Sequence, residues 1–334
     1  FLHTFPGRIR EGRYMLNEAG EVVPNEIDDA FNVVGLVPAA DDARADEYIV
    51  YLAHYDHLGV DTDGDVFNGA FDNAAGAALG LEMARAMLEH DARPACNVVF
   101  LFSDGEETGL AGAEAWIADP PIPKESILVG ISGDPIGRGL LPDYAPLLMV
   151  GMERSPSLRT VWQQADALPA DGPVYMHRAM IPVFASDQDE FHAQGIPGVW
   201  FITPGMSFYH TVDDAAETID YRVLLDAGRY MLSVLHLIAD ANQHFEYVGE
   251  PEMNVGHAVD VKAILDGANA SEVLTPNQHA QLAGFIADLQ EVIDAGSFEP
   301  LGNAATWFGT AVAVVAFNLP RIHPGPVPPP FPGE

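Results

Sequence analysis

Histidines and acids recur in this sequence just where an apolar run has ended. His54-Tyr55-Asp56-His57 follows "YIVYLA" (Tyr48 to Ala53), and Asp72-Asn73 sits in "NGAFDNAAG" at the head of a helical pattern. Glu106 and Glu107 follow "NVVFLF" (Asn97 to Phe102), Asp134 follows "ILVGIS" (Ile127 to Ser132), and Tyr209-His210 lies downstream of "GVWFI" (Gly198 to Ile202). Taken singly, each has a plain structural use. Asp72 suits a helix N-cap, Asp134 before Pro135 suits a turn, and the two glutamates suit a solvated loop. Taken together they do not, because parallel strands bring their carboxyl ends to one edge of a sheet. Histidines with three carboxylates form the mixed nitrogen and oxygen set that suits zinc, and an aspartate bridging two ions allows a two-metal site. Five protein ligands and a shared water would leave one carboxylate over to act as a base. Adjacent side chains point different ways, so Glu106 and Glu107 cannot both serve the same direction.

The elements that must position these groups are read from periodicity. Phe31 to Val37 and the four runs above are short, rich in valine and isoleucine, and apolar on both faces, as strands covered on both sides must be. Helical spacing marks Asn73 to Glu89 and Tyr221 to Ala241, and Ser155-Pro156 and Thr275-Pro276 open two further helices, the second running to about Asp294. The alternation predicts an α/β, three-layer sandwich with a mostly parallel central sheet between helices. Three regions are expected: an N-terminal segment 1–30, a catalytic domain 31–248, and a C-terminal extension 249–334. The extension carries a helix, the apolar stretch Ala304 to Leu319, and a proline-rich tail that cannot be regular helix.

Composition narrows the partners. The 334 residues are 48% hydrophobic, enough for a substantial core, and the formal charge is −34, from 49 acidic against 15 basic residues. Such a surface repels nucleic acid and anionic membranes, and its self-repulsion is relieved by salt. No apolar run reaches membrane-spanning length. The single cysteine, Cys96, excludes an internal disulfide and any cysteine-rich zinc module. The chain opens with Phe1 and shows no basic-then-apolar leader, which favours an extracytoplasmic location after removal of an export signal. The acidic loop Asp61 to Asp65 is not expected to bind calcium, because Val66 stands where such a loop needs glycine.

The ordered series "AHYDHLG…NGAFDNAAG…SDGEETGLAG…GDP…SDQDEFHAQGIPG…YHTVDD" resembles family twenty-eight of the metallopeptidases, from about Asn32 to Ile238. That family includes di-zinc bacterial aminopeptidases, enzymes of the glutamate carboxypeptidase II type and, further off, glutaminyl cyclases. The resemblance implies two zinc ions, with cobalt or manganese able to use the same ligands. It implies that His54, not His57, binds one ion with Asp134, that Glu107 and His210 bind the other, and that Asp72 bridges both. Asp56 would orient His54, and Asp214 would support the set. Glu106 would be the general base acting on the shared water, and Tyr209 would hydrogen-bond the oxyanion. Gln188 and Ser186, in "SDQ" where the family commonly has "SDH", would lie by the substrate pocket; Ala185 stands where some aminopeptidases have arginine. The implied activity is hydrolysis of a peptide or amino-acid amide, with an aminopeptidase as the leading expectation. The alternatives are a dipeptidase, a carboxypeptidase or another amide hydrolase on the same site, and a catalytically inactive binding domain of the same fold. A single-zinc glutaminyl cyclase is less favoured, since the two-metal set looks complete.

Overall fold

The computed structural model describes residues 1–7, 14–17, 19–24, 29–163, 174–176, 186–312, 314–315 and 319. The proline-rich tail and Ala185 lie outside them. Among the described residues ten strands are formed: β1 (Leu2–Pro6), β2 (Tyr14–Leu16), β3 (Val22–Pro24), β4 (Asp29–Val37), β5 (Tyr48–His54), β6 (Asn97–Ser103), β7 (Ile127–Gly133), β8 (Leu148–Val150), β9 (Val174–Met176) and β10 (Gly198–Ile202). Eight of them make one sheet in the order β1-β4-β6-β5-β7-β10-β8-β9, while β2 and β3 pair as a separate hairpin. Its centre, β6-β5-β7-β10, is parallel, and the antiparallel pairings are β1 with β4, β4 with β6, and β10 with β8.

Among the described residues eight α-helices surround the sheet: α1 (Ala75–Glu89), α2 (Ala111–Ala118), α3 (Pro156–Gln163), α4 (Gln188–Ala193), α5 (Tyr221–Asp240), α6 (Val255–Asn269), α7 (Pro276–Ala295) and α8 (Ala304–Val312). Side chains alternate across a strand, and the two faces go to two cores. Ile49, Tyr51, Val98 and Phe100 pack with Leu79, Met83, Met231 and Leu235 of α1 and α5. Val50, Leu52, Val99 and Leu101 pack with Trp116 of α2 and Phe191 of α4. The result is the expected three-layer sandwich. A further core joins Leu148, Trp200 and Ile202 of the sheet to Ile264, Leu282, Leu289 and Phe308 of α6, α7 and α8. It also takes in Phe71 and Met206, which lie on the loops that carry Asp72 and His210.

Some elements differ from the expectation. The α1 helix starts at Ala75, because Asp72 (φ −120°) and Asn73 (φ −137°) are not helical. Asn73 Oδ1 accepts the Gly76 amide (3.2 Å) and Asn73 Nδ2 donates to the Gly133 carbonyl (2.9 Å), so Asn73 ties the helix start to the end of β7. That frees the neighbouring Asp72. Among the described residues no helix is long and apolar enough to cross a membrane.

Helix α1 lies so close on the sheet that a Cβ at Gly80 would stand 2.5 Å from Tyr51 Cε1 and 3.0 Å from Phe102 Cε1. Tyr51 is fully buried and its hydroxyl donates to the Gly76 carbonyl, so it has nowhere to move. Gly80→Ala should therefore cost about 1–3 kcal/mol of overpacking, read as a lower denaturant midpoint at unchanged slope.

Candidate metal centre

Strand register delivers the chemistry to one edge. His54, the last residue of β5, is level with Ser103 of β6, and Phe201 of β10 is level with Gly133 of β7. The residues just beyond these ends are Asp56, Glu106, Glu107 and Asp134.

Two groups of donors form there, each with its ligand atoms within 4.8 Å of one another: His54, Glu106 and Asp134, and His57, Asp72 and Glu107. Asp72 connects the groups. Its Oδ1 is 3.1 Å from His54 Nε2, and its Oδ2 is 3.1 Å from His210 Nε2. His54 Nε2 is also 3.2 Å from Asp134 Oδ1, and His210 Nε2 is 3.3 Å from Glu107 Oε1. His54, Asp72, Glu107 and Asp134 are buried, while His210 is about one-third exposed (34% of its side chain). Asp72 Oδ2, His210 Nε2 and both nitrogens of His57 are buried without a hydrogen-bond partner among the described residues. Buried polar atoms that crowd together and still leave their hydrogen bonds unmade fit a cation held between them.

Each donor is braced from behind. Ser186 Oγ donates to Asp134 Oδ2 (2.6 Å) and contacts Ser132 Oγ (2.9 Å), and the Asp134 amide donates to the Phe201 carbonyl (2.9 Å). Ser186, expected by the substrate pocket, is fully buried and hydrogen-bonded to Asp134. Gln188 is buried as well, at the start of α4, where its Nε2 donates to Asp189 Oδ1 (3.2 Å). Asp214 braces the Asp72 side of the centre: its carboxylate accepts the amides of Phe71 (2.9 Å) and Asp72 (3.1 Å) and pairs with Arg138 Nη2 (2.6 Å). Asp56 has two functions. His54 Nδ1 lies 3.1 Å from its backbone carbonyl and 3.6 Å from its carboxylate, and that carboxylate accepts the amides of Glu106 (3.0 Å) and Glu107 (3.3 Å).

The acidic turn is fixed at both ends by a residue that its sequence does not advertise. Asn32, buried in β4, accepts the Asp104 amide (3.0 Å) and donates to the Gly112 carbonyl (2.8 Å). Asp187 is another such residue. It is buried behind the centre and hydrogen-bonded by Ser103 Oγ, and burial with the nearby Asp134 and Asp56 carboxylates pushes its pKa up to about 7. The signal for both was weak, an isolated polar residue in an apolar run and an acid beside a serine.

Electrostatics separates the adjacent glutamates. Burial, reinforced by Asp134, Asp187 and Glu107 and opposed by His54, holds the Glu106 carboxyl well above its ordinary value. Burial also works upward on Glu107, but His210 and His57 outweigh it and bring it down to about 2. Asp72 is likewise lowered by His210 and His54 against burial. Glu107 and Asp72 are thus permanent anions, while Glu106 is the group that holds a proton readily. Tyr209 stacks on His210 at 3.8 Å between ring centroids; burial, then the carboxylates of Asp72, Asp134, Glu107 and Glu106, raise its pKa.

The model of peptidase family M28 matches residues 32–235. The chain belongs to peptidase family M28. This is a hydrolase family of zinc-dependent peptidases, and it accounts for most of the sheet and every residue of the donor groups. Similar solved structures include the aminopeptidase from Aneurinibacillus sp. strain AM-1, at 22% identity and TM-score 0.51, covering 69% of this chain and 51% of that one. A zinc aminopeptidase from Bacillus subtilis matches at 20% identity and TM-score 0.50, covering 65% of this chain and 51% of that one. Glutaminyl cyclase from Porphyromonas gingivalis matches at 19% identity and TM-score 0.51, covering 70% and 83%. These likenesses show the M28 fold. A 72-residue stretch is 39% identical to a probable zinc metalloprotease from Pyrenophora teres f. teres, covering 21% of this chain and 15% of that protein. The chain spans about half the length of the two aminopeptidases it matches.

Imidazole must be neutral to bind a metal. Burial works to lower the His210 pKa, but Asp72 and Glu107 prevail and raise it to about 9; His54 is raised in the same way by Asp134 and Glu106. Below pH 9 a metal must therefore displace a proton from His210. Zinc affinity of the metal-free protein should climb between pH 6 and 9, with proton release measurable by calorimetry in buffers of different ionisation enthalpy.

Proposed function

We propose that this M28 member is a two-metal exopeptidase, most simply an aminopeptidase, acting on peptides or amino-acid amides. The observation that carries this reading is the division of two adjacent glutamates. Glu106 falls in the donor group of His54 and Asp134, and Glu107 in that of His57 and Asp72. In the reading, His54, Asp134 and Asp72 hold one zinc ion, and Glu107, His210 and Asp72 hold the other, cobalt and manganese being able to use the same donors. When bound, the ions supply Lewis-acid polarisation of the scissile carbonyl and a lowered pKa for attacking water.

The protein's own groups do the rest. Glu106 takes the proton of the water, and its raised proton affinity suits it to pass that proton on to the departing amine. Asp56 keeps Glu106 in place through the amide, without using the carboxylate that moves the proton. Tyr209, held against His210 and kept protonated by the surrounding carboxylates, is a donor for the oxyanion. Asp134, gripped by Ser186 and by the strand β10 backbone, cannot swing towards the substrate.

Glu106→Gln should keep its metal and lose turnover by a factor of about 10²–10⁴, the usual contribution of a positioned base. Glu107→Gln should lose metal affinity, read by competition with a chelator. The two variants behaving alike would overturn the division of labour. A panel of free aminoacyl, N-blocked and C-terminal glutamyl substrates tests the rest: cleavage of N-blocked substrates alone would remove the aminopeptidase reading and keep the hydrolase.

A further inference from the structure

The family pattern gives a role to His54 and none to His57, three residues on. The fold places His57 inside the centre. Its side chain is 8% exposed, and its ring meets that of His210 edge to face, 5.8 Å between centroids at 69°. His57 Nδ1 is 2.9 Å from Glu107 Oε1 and 3.9 Å from Asp72 Oδ2. His210 Nε2 lies 3.3 Å and 3.1 Å from the same two oxygens. Two imidazoles thus approach one pair of carboxylate oxygens from two sides. The donor atoms of His57, Asp72 and Glu107 lie within 4.8 Å of one another, close enough to share one ion, and His210 Nε2 stands against two of the same three residues.

The alternative for His57 is a hydrogen bond that merely steadies Glu107. Such a bond would occupy His57 Nδ1 with Glu107 alone and leave Asp72 Oδ2, 3.9 Å from the same nitrogen, without a hydrogen-bond partner among the described residues, whereas an ion between the three residues serves both carboxylates. The backbone around the His57 ring is shaped to keep it there. Gly69 has φ +62°, and a Cβ on it would come within 2.7 Å of both His57 Cγ and the Asp72 carbonyl oxygen. The loop that delivers Asp72 is thus wrapped directly on the root of the His57 ring, with no side chain between.

We infer that His57 is a protein ligand of the ion held by Glu107 and His210. This rests on the two-metal reading proposed above, and it makes the two sites unequal. One ion has four protein donors, His57, Asp72, Glu107 and His210; the other has three, His54, Asp72 and Asp134. Four protein donors are the mark of a zinc site that holds its ion, and three the mark of a site with a position open to water or substrate. The ion beside Glu106 is then the exchangeable, reactive one, and the ion beside His57 anchors the bridging Asp72.

Two measurements on the full chain test this. Zinc titration of metal-free protein against a competing chelator should show two steps, and His57→Gln should weaken the tighter step at least about tenfold while leaving the weaker one within about twofold. X-ray absorption of wild-type protein carrying one equivalent of zinc should show two imidazoles on the metal, and this arm does not depend on the variant folding. Both steps unchanged in His57→Gln, or one imidazole in the wild type, would overturn the assignment and leave the two-metal reading standing. A single binding step in the wild type would overturn both.

Discussion

Mutual repulsion among buried carboxylates governs this structure. Asp72, Glu106, Glu107 and Asp134 converge on a few ångströms at the edge of the sheet, with Asp56 and Asp187 directly behind them. Taking one ionised carboxylate out of water is expensive, and each neighbour of like charge adds to the cost. The raised proton affinities of Glu106, Asp134 and Asp187 express that cost directly. Histidines offset part of it, as the lowered values of Asp72 and Glu107 show. A bound dication offsets the remainder, so the arrangement is one that the metal stabilises and the bare chain must be braced to hold.

The bracing uses no cation at the donors themselves: backbone amides and one hydroxyl make the contacts, two further carboxylates taking the amides. Asp56 accepts two amides of the glutamate turn, Asp214 accepts two amides of the Asp72 loop, and Ser186 donates to Asp134. Arg138 is the exception, a buried cation paired with Asp214 and lying 4.6 Å over the Phe71 ring. It neutralises the acid that carries the Asp72 loop without touching Asp72 itself by ion pair or hydrogen bond among the contacts described, and so leaves the Asp72 carboxylate to its histidine neighbours. The helices α6 to α8 take part at a distance. Their core includes Phe71 and Met206, so the loops bearing Asp72 and His210 rest on the C-terminal helices as well as on the sheet.

How much of this could be read beforehand depended on the range of the interactions involved. The central strands were legible because burial on both faces leaves an uninterrupted apolar run, and the donors were legible because polar residues directly after such runs have no packing use. Strands β8 and β9, three residues each, leave no periodicity to read, and α6 has small residues and glycines where a clear apolar stripe would be. The roles of Asn32, Ser186 and Asp214 depend on partners 52 to 143 residues away, which no local pattern encodes. His57 was hidden for the opposite reason. It is so near His54 in sequence that one pattern covered both, and only the folded positions of the Asp72 and Glu107 segments show that the two rings go to different donor groups.

The same economy of positive charge shapes the outside of the molecule. Of 15 basic residues in the chain, Arg44, Arg138 and Arg154 are buried. Arg44 pairs with Glu47 and donates to the Ala239 carbonyl near the end of α5, and Arg154 pairs with Glu250. Among the described residues the acids Asp72, Glu107, Asp134, Glu153, Asp187 and Asp214 are buried as well, so most of the net charge of −34 remains on the surface, and the field of such a surface concentrates cations around the molecule. Salt screens the outer charges over about 8–10 Å and leaves the buried set nearly untouched. The surface and the centre therefore differ in what they sense: the first answers to the ionic strength of its surroundings, while the second is shielded from it by burial.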